Sequence, residues 1–310
     1  MMKFSVIICI SNGEETLFRC LDAVKAIDYP KSDFEVIVVN NASTDRTFRI
    51  ISGYDIRVIG CRKQISSSKV MELGTQKALY PNLLFIGQRT VVKKDILKKI
   101  KEIAYSPLIS GELNIDKYRS GHDTFTYLIN SKMYNPHFPQ SKFGKELWIS
   151  KKNFGKTYKN NAVFFIEKKL LVKIIGMGFD LNNGNNDLYR KIVYESKIKI
   201  LSHTGIDVEH IADYRARTNR QIVENGYRWA KRNLSKFNLF SFTYYLIHAV
   251  ILMIIIMYPN ISIAVFLGSY ILFLIYLSET KKDFWILFKT APGEILRFYS
   301  GTIKYLTSRS

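Results

Sequence analysis

Residues Phe4 to Ile10 read FSVIICI, a continuous apolar run of strand length, and Phe34 to Val39 (FEVIVV) form a second such run. Between them apolar positions recur at Leu17, Cys20, Leu21 and Val24. That is the i, i+3, i+4 spacing of one helix face, so Glu14 to Ile27 is predicted to be helical. A strand, a helix and a strand in such close succession predict a βαβ unit, whose strands are parallel and covered on both faces. The alternation then repeats. Thr44 to Ser52, Ser66 to Leu79 and Lys94 to Tyr105 have helical character, while Ile56 to Gly60 and Leu83 to Ile86 have strand character. The expected fold class is α/β, a doubly wound and mostly parallel sheet of nucleotide-binding type. Ligands of such sheets gather at the carboxyl ends of the strands, where the loops after Ile10, Val39 and Ile86 lie.

From Ser106 to Tyr158 no stable period emerges among scattered aromatics, glycines and lysines. Ala162 to Ile166 then reads as a strand, Glu167 to Ile175 as a helix, Gly176 to Asp180 as a turn and Asp187 to Glu195 as a helix. Lys197 to Leu201 and Thr204 to Glu209 read as two short strands, and Arg215 to Asn233 as a long basic helix.

Beyond this point the pattern changes character. Leu239 to Met257 has no Asp, Glu, Lys or Arg across 19 positions, and Ile261 to Leu277 has none across 17, with only Tyr258-Pro259-Asn260 between them. Because about 20 apolar residues span a bilayer core, the two segments predict a transmembrane hairpin with a tight turn. A pair of buried core helices or a hairpin on a membrane surface has the same pattern. Arg228, Lys231, Arg232 and Lys236 precede the hairpin and Lys281 and Lys282 follow it, which puts both of its ends in the cytoplasm. Phe284 to Leu306 mixes Trp285, Phe288, Phe298 and Tyr299 with Lys289, Arg297 and Lys304, the composition of an interfacial amphipathic helix broken near Pro292-Gly293. The expected organisation is a catalytic-type domain over 1–235, a transmembrane hairpin over 236–280 and an interfacial segment over 281–310.

The charge balance fits this organisation. With 46 basic and 26 acidic residues in 310, the net charge is +20, which calls for an anionic partner. The cations beside the apolar segments point to membrane lipids, and with no nucleic-acid motif present nucleic acid is not an expected partner. Cys9, Cys20 and Cys61 have no metal-type spacing and read as reduced, buried thiols. Met1 to Ile10 is too short an apolar stretch for a cleavable signal peptide, so the amino-terminal domain is expected in the cytoplasm, at the cell membrane.

The amino-terminal motifs resemble those of family 2 glycosyltransferases. They are Ser5-Val6-Ile7-Ile8, Asn12, Glu15-Thr16-Leu17, Cys20-Leu21, Asp28-Tyr29-Pro30, Phe34 to Val39 and Ala42-Ser43-Thr44-Asp45. More weakly, the likeness extends through Gly74, the Leu83 strand, Gly176 to Asp180 and the helix of Arg220 to Lys231. It implies the GT-A fold and inverting sugar transfer from an activated donor. It also implies a loop around Ser11, Asn12, Glu14, Asn40, Asn41 and Ser43 that binds the donor. Such chemistry uses three acidic stations, and this sequence departs from each of them. After the second strand stands Asn40, an amide that still hydrogen-bonds a base. Where the family's Asp-x-Asp would ligate a divalent cation, the chain has Gly87, Gln88 and Arg89. Arg89 repels a cation, but its guanidinium is suited to neutralising a diphosphate, as Lys93 nearby also is. Where the family's Glu-Asp pair supplies a base, the chain has Gly184 and Asn185, and an amide is no base. Asp187 is the surviving acid, equally suited to favouring the helix dipole at an amino-terminal turn. His210 falls where the family often places a strand-end histidine near the acceptor.

The resemblance therefore supports two readings. One is a membrane-associated glycosyltransferase working without a metal cofactor, which transfers sugar from a nucleotide-sugar or lipid-phosphate-sugar donor to a lipid-linked or surface glycan. The other is a catalytically inactive relative that serves as a binding or assembly subunit, through a membrane protein partner or as a homo-oligomer.

Overall fold

The computed structural model describes residues 2–114, 145–157, 159, 162–181, 186–211, 259–277 and 281–307, together with a few isolated helical positions between 223 and 246. The chain divides into two compact units, one of residues 1–118 and 133–212 and the other of 119–132 and 213–310.

The first unit is built on a nine-stranded sheet. Its elements in chain order are β1 (Phe4–Ile10), α1 (Leu17–Lys25), β2 (Phe34–Asn40), α2 (Thr47–Ile51), β3 (Arg57–Gly60), α3 (Ser67–Lys77), β4 (Asn82–Gly87), β5 (Thr90–Val92), α4 (Ile96–Ile103), β6 (Leu108–Asn114), β7 (Glu146–Ile149), β8 (Val163–Glu167), α5 (Lys168–Gly176), α6 (Asn186–Tyr194) and β9 (Ile200–His210). The strands lie in the order β3-β2-β1-β4-β8-β6-β9-β5, and β7 also pairs with β9. The pairs β1–β2, β1–β4, β2–β3 and β6–β9 are parallel. The sheet is nonetheless mixed: β8 runs antiparallel to both β4 and β6, and β5 and β7 run antiparallel to β9.

Alternation along β1 explains the layering. Phe4, Val6, Ile8 and Ile10 pack into one core with Leu17, Cys20, Leu21 and Val24 of α1 and Ile96, Leu97 and Ile100 of α4. Ile7 faces the opposite core, with Val70 and Met71 of α3, Leu170, Leu171 and Ile174 of α5, and Leu188, Tyr189 and Ile192 of α6. Helices on both faces are what continuous apolar strands require.

Several expectations are corrected. Thr90 to Val92, between the predicted Leu83 strand and the predicted Lys94 helix, is a further strand that turns back from β4. The unread stretch after Ser106 contains β6 and β7. The two short strands expected at Lys197–Leu201 and Thr204–Glu209 are one strand, β9, with a register shift between His203 and Asp207. Gly111 is what lets β9 bulge there, because a Cβ at that position would lie 2.5 Å from the Ile206 carbonyl oxygen.

In the second unit, α7 (Pro259–Leu277) starts on a proline, whose missing N–H is no loss in the first turn. The last helix, α8 (Lys281–Thr307), runs through Pro292 where a break was expected. Ala230 and Tyr305 are buried together, with the Tyr227 and Tyr305 rings edge to face at 5.5 Å. Among the described residues no helix is long and apolar enough to cross a membrane, so the expected spanning hairpin is without support there. Its first segment, 239–257, lies almost wholly outside the described residues, as does most of the predicted helix from Arg215 to Asn233.

Candidate functional site

The carboxyl ends of β1 and β2 are adjacent, with Ile10 in register with Asn40. Their loops are tied to each other by side chains of the first unit. Asn12 adopts a positive φ of 50°, and its backbone N–H donates to Ser43 Oγ at 3.0 Å while its Oδ1 accepts from Thr44 N at 2.8 Å. Gly13 N donates to Thr47 Oγ1 at 2.7 Å. Glu14 N donates to Asp45 Oδ2 at 3.1 Å, and Arg46 N returns a bond to Glu14 Oε2 at 3.0 Å. Burial pushes the Asp45 carboxyl up, but hydrogen bonds from the Thr47 hydroxyl and from neighbouring N–H groups outweigh it and hold it below its ordinary value.

Asn40 and Asn41 face different partners. Asn40 Oδ1 accepts from both Ser43 N, at 3.2 Å, and Ser43 Oγ, at 2.6 Å, which folds the loop tightly back on its strand. Asn41 reaches across to the segment before α3, where its amide exchanges two bonds of 2.9 Å with the backbone of Ile65. Between this loop's amides and hydroxyls sits Ala42, at a positive φ of 50° that a side-chain-bearing residue adopts only under constraint.

The third loop is the two-residue turn between β4 and β5. Gln88 spends its amide on the β1 loop, accepting from Ser11 N at 2.9 Å and donating to Ser11 O at 3.3 Å. The Cys20 thiol donates to Gly87 O at 3.6 Å from beneath the turn, and burial pushes that thiol up to about 12. Gly87 N and Thr90 Oγ1 both donate to Ala162 O, which fixes the turn to β8. Arg89 is half-buried, and its carbonyl accepts from Ile211 N at 2.7 Å. Strand β9 ends here, with His210 in register with Thr90. The backbone thus brings His210 beside Arg89, 121 positions apart in sequence, through a strand pairing that local periodicity does not encode.

Asp187 is elsewhere. In the first turn of α6, its Oδ2 accepts from Asp180 N at 3.0 Å and its Oδ1 lies 3.5 Å from Arg190 Nε. Asn185 lies outside the described residues. The turn after β4 presents a carbonyl, an amide and a guanidinium, a donor set that does not fit a divalent cation. Among the described residues, no group of three His, Cys, Asp or Glu side chains is placed to hold one.

Known proteins resemble this chain in sequence and fold. Residues 5–145 match the family model described as glycosyl transferase family 2. Over 103 residues the chain is 31% identical to the poly(ribitol-phosphate) beta-N-acetylglucosaminyltransferase TarS of Staphylococcus aureus, a match covering 32% of this chain and 18% of that protein. The crystal structure of S. aureus TarS 1-349 in complex with UDP-GlcNAc superposes with a TM-score of 0.52 at 19% identity, covering 75% of this chain and 67% of that one. The mannosyltransferase PcManGT from Pyrobaculum calidifontis, in complex with GDP-Man and Mn²⁺, gives a TM-score of 0.63 at 12% identity, covering 99% of this chain and 88% of that one. At such identities the two structures speak for the fold alone, and the sequence match spans less than a fifth of the TarS chain. Residues 5–145 are thus similar to the family 2 glycosyltransferases, and the scaffold that carries them is mixed α/β and GT-A-like by its structural neighbours.

Proposed function

We propose that this chain binds a nucleoside-diphosphate sugar at the carboxyl ends of β1, β2 and β4 and transfers the sugar to a glycan acceptor. The observation that carries the reading is the cross-tied rim of Ser11, Asn12, Glu14, Asn40, Asn41 and Ser43, closed by the Gln88-Arg89 turn. Such a rim is rigid before any ligand arrives, which reduces the ordering penalty of binding. In the reaction an acceptor hydroxyl attacks the anomeric carbon, the bond to the diphosphate breaks, and the negative charge that develops on the leaving group needs a cationic partner. Arg89 is the residue assigned that role here, because its planar guanidinium suits a diphosphate. His210, at the adjacent strand end, is the residue to orient the acceptor or to take its proton.

Attachment to an anionic membrane surface belongs to the same proposal. Leu267, Ile271, Leu272, Ile275 and Tyr276 of α7 and Trp285 and Phe288 of α8 are exposed apolar side chains in a strongly cationic chain. The acceptor would then be lipid-linked or a surface glycan, with the first unit on the cytoplasmic side.

A second reading, a binding subunit without turnover, is favoured by one observation. The Gln88 amide, in the turn that replaces the family's Asp-x-Asp, and the carboxylate of Asp187, the surviving acid after the Gly184-Asn185 position, are both engaged in holding the backbone. Calorimetry with UDP-GlcNAc and GDP-mannose, with and without Mn²⁺, tests the donor reading. Binding that is independent of Mn²⁺ and weakened by Arg89→Ala is expected. No binding of either donor overturns the proposal, and Mn²⁺-dependent binding overturns the assignment of Arg89. Turnover with a glycan acceptor then separates the enzyme from the binding subunit.

A further inference from the structure

Far from the Gln88-Arg89 turn, the edge strand β7 exposes an aromatic residue beside polar groups. Trp148 is 40% exposed and Tyr105, just past α4, is 57% exposed. Their rings lie 6.3 Å apart with planes inclined at 45°, forming an open notch. Glu146, two residues before Trp148 and therefore on the same face of β7, accepts a hydrogen bond from the Tyr105 hydroxyl. His203 pairs with Glu146 across the strands and brings its Nε2 to 3.8 Å from Glu146 Oε1.

Each member is held in place. Asn153 donates through Nδ2 to Trp148 O at 3.0 Å and accepts from Ser150 N at 2.7 Å, which anchors the end of β7. His203 Nδ1 accepts from Gly205 N at 2.9 Å within the β9 bulge. That bond fixes the neutral tautomer with its proton on Nε2, so the imidazole presents a donor toward the notch. The cluster combines two exposed aromatic side chains with a carboxylate acceptor and an imidazole donor, each held by the contacts above. A bare apolar edge is a liability on a sheet, but aromatic faces flanked by hydrogen-bonding groups match a pyranose ring, which has an apolar C–H face and a rim of hydroxyls.

The sheet register gives its position. Gly111 follows Ser110, the partner of Phe164, so it is level with Val163 and through it with Ile86 at the end of β4; His203 is in register with Gly111. Glu146 and His203 are therefore level with the carboxyl rim of the sheet, while Trp148, paired with Leu201, is two residues below it, level with Leu84. Strand β7 lies four strands from β4, roughly 19 Å at a strand spacing of about 4.8 Å.

We propose that Tyr105, Glu146, Trp148 and His203 form a carbohydrate-stacking subsite that takes a pyranose ring of the acceptor glycan, several sugars away from the bond being made. This rests on the glycan-acceptor reading above. It adds that the acceptor is an oligomer, gripped at a distance, so that chain length governs its affinity.

The test titrates chitohexaose and maltohexaose, a β-linked and an α-linked pyranose hexamer, into the full chain by calorimetry. At least one is expected to bind saturably. Trp148→Ala is expected to weaken it about tenfold, while Trp148→Phe retains most of the affinity. Failure of both hexamers to bind the wild-type chain overturns the proposal, as does wild-type affinity in a folded Trp148→Ala variant. Should Trp148→Ala lower the thermal midpoint, Tyr105→Ala carries the test at the more exposed ring, and unchanged affinity there overturns it equally. UDP-GlcNAc and GDP-mannose are titrated separately into the wild-type chain. Their failure to bind sinks the donor reading and leaves the subsite to stand or fall on the hexamers.

Discussion

Gln88 holds Ser11 by both polar groups of its backbone, accepting from Ser11 N and donating to Ser11 O, 77 residues away in sequence. An amide is the one side chain of that length that offers an acceptor and a donor side by side. Gln88→Ala is expected to destabilise the protein by about 2 kcal/mol, two hydrogen bonds at about 1 kcal/mol each. Gln88→Glu is expected to be worse at neutral pH than at pH 4, because a carboxylate there faces the Ser11 carbonyl with no proton to give. Urea unfolding of both variants checks this, and equal midpoints for wild type and Gln88→Ala would refute the clasp.

Ala42 sits at a φ of 50° in the loop where Asn40 folds back on Ser43. The left-handed region costs a residue with a Cβ about 1–2 kcal/mol. Relieving that strain is partly offset by the greater entropy of glycine in the unfolded chain, so Ala42→Gly is expected to stabilise the protein by about 0.5–1 kcal/mol. A lower unfolding midpoint for Ala42→Gly would show that the loop's hydrogen bonds do not hold Ala42 in this conformation.

The amino-terminal half of the sheet was legible because its signals are local. The spacing of Leu17, Cys20, Leu21 and Val24 and the apolar runs of β1 and β2 each declare their elements within a dozen residues. What escaped was set at long range. Thr90 to Val92 is a strand because β9 pairs with it, and a three-residue strand has too little pattern to announce itself. The β9 bulge split one strand into two apparent ones, since the register shift interrupts alternation between His203 and Asp207. At the site, the loops after Ile10, Val39 and Ile86 were predictable from the topology rule, but the engagement of Gln88 with Ser11 was not. Nothing in composition distinguishes an amide that binds ligand from one that binds backbone. The stacking notch was missed for the same reason: Tyr105, Trp148 and His203 meet only through β7–β9 pairing.

Asp187 receives the Asp180 N–H on one carboxylate oxygen and faces Arg190 with the other. Arg190 is exposed, so that pair contributes little, and the bond to the Asp180 backbone carries most of the effect. Asp187→Ala is expected to destabilise by about 1 kcal/mol, the cost of the lost hydrogen bond from the Asp180 backbone, with Asp187→Asn recovering part of it. Turnover that falls more than about a hundredfold in Asp187→Asn, with an unchanged thermal midpoint, would instead make Asp187 a general base.

Gly74 packs α3 directly on the sheet. A Cβ there would lie 2.8 Å from Ile7 Cγ2 and 3.2 Å from Val39 Cγ2, both on buried strands. Gly74→Ala improves intrinsic helix propensity by about 1 kcal/mol but overpacks the core by about 1–3 kcal/mol. The overpacking term is expected to win. A raised unfolding midpoint in Gly74→Ala would mean that α3 can move outward freely, and so would count against a rigid floor beneath the β1 and β2 loops.

His203 gives the fold a pH-dependent contribution. Burial lowers its pKa below 6.5, the charge of Lys145 lowers it further, and Glu146 opposes both without cancelling them. A histidine whose folded pKa is depressed binds protons more readily when unfolded, so stability rises with pH wherever the two states differ in protonation. The contribution is complete above 6.5 and declines as the pH falls from there toward the depressed folded value. His203→Gln retains a polar side chain of comparable length but cannot titrate, so its stability is expected to fall less between pH 7 and pH 5 than that of the wild type. Denaturant midpoints measured at half-unit steps across that interval decide it. Parallel curves for the two proteins would place the titrating group elsewhere, and a wild-type curve that rises on acidification would reverse the sign assigned to the His203–Glu146 pair.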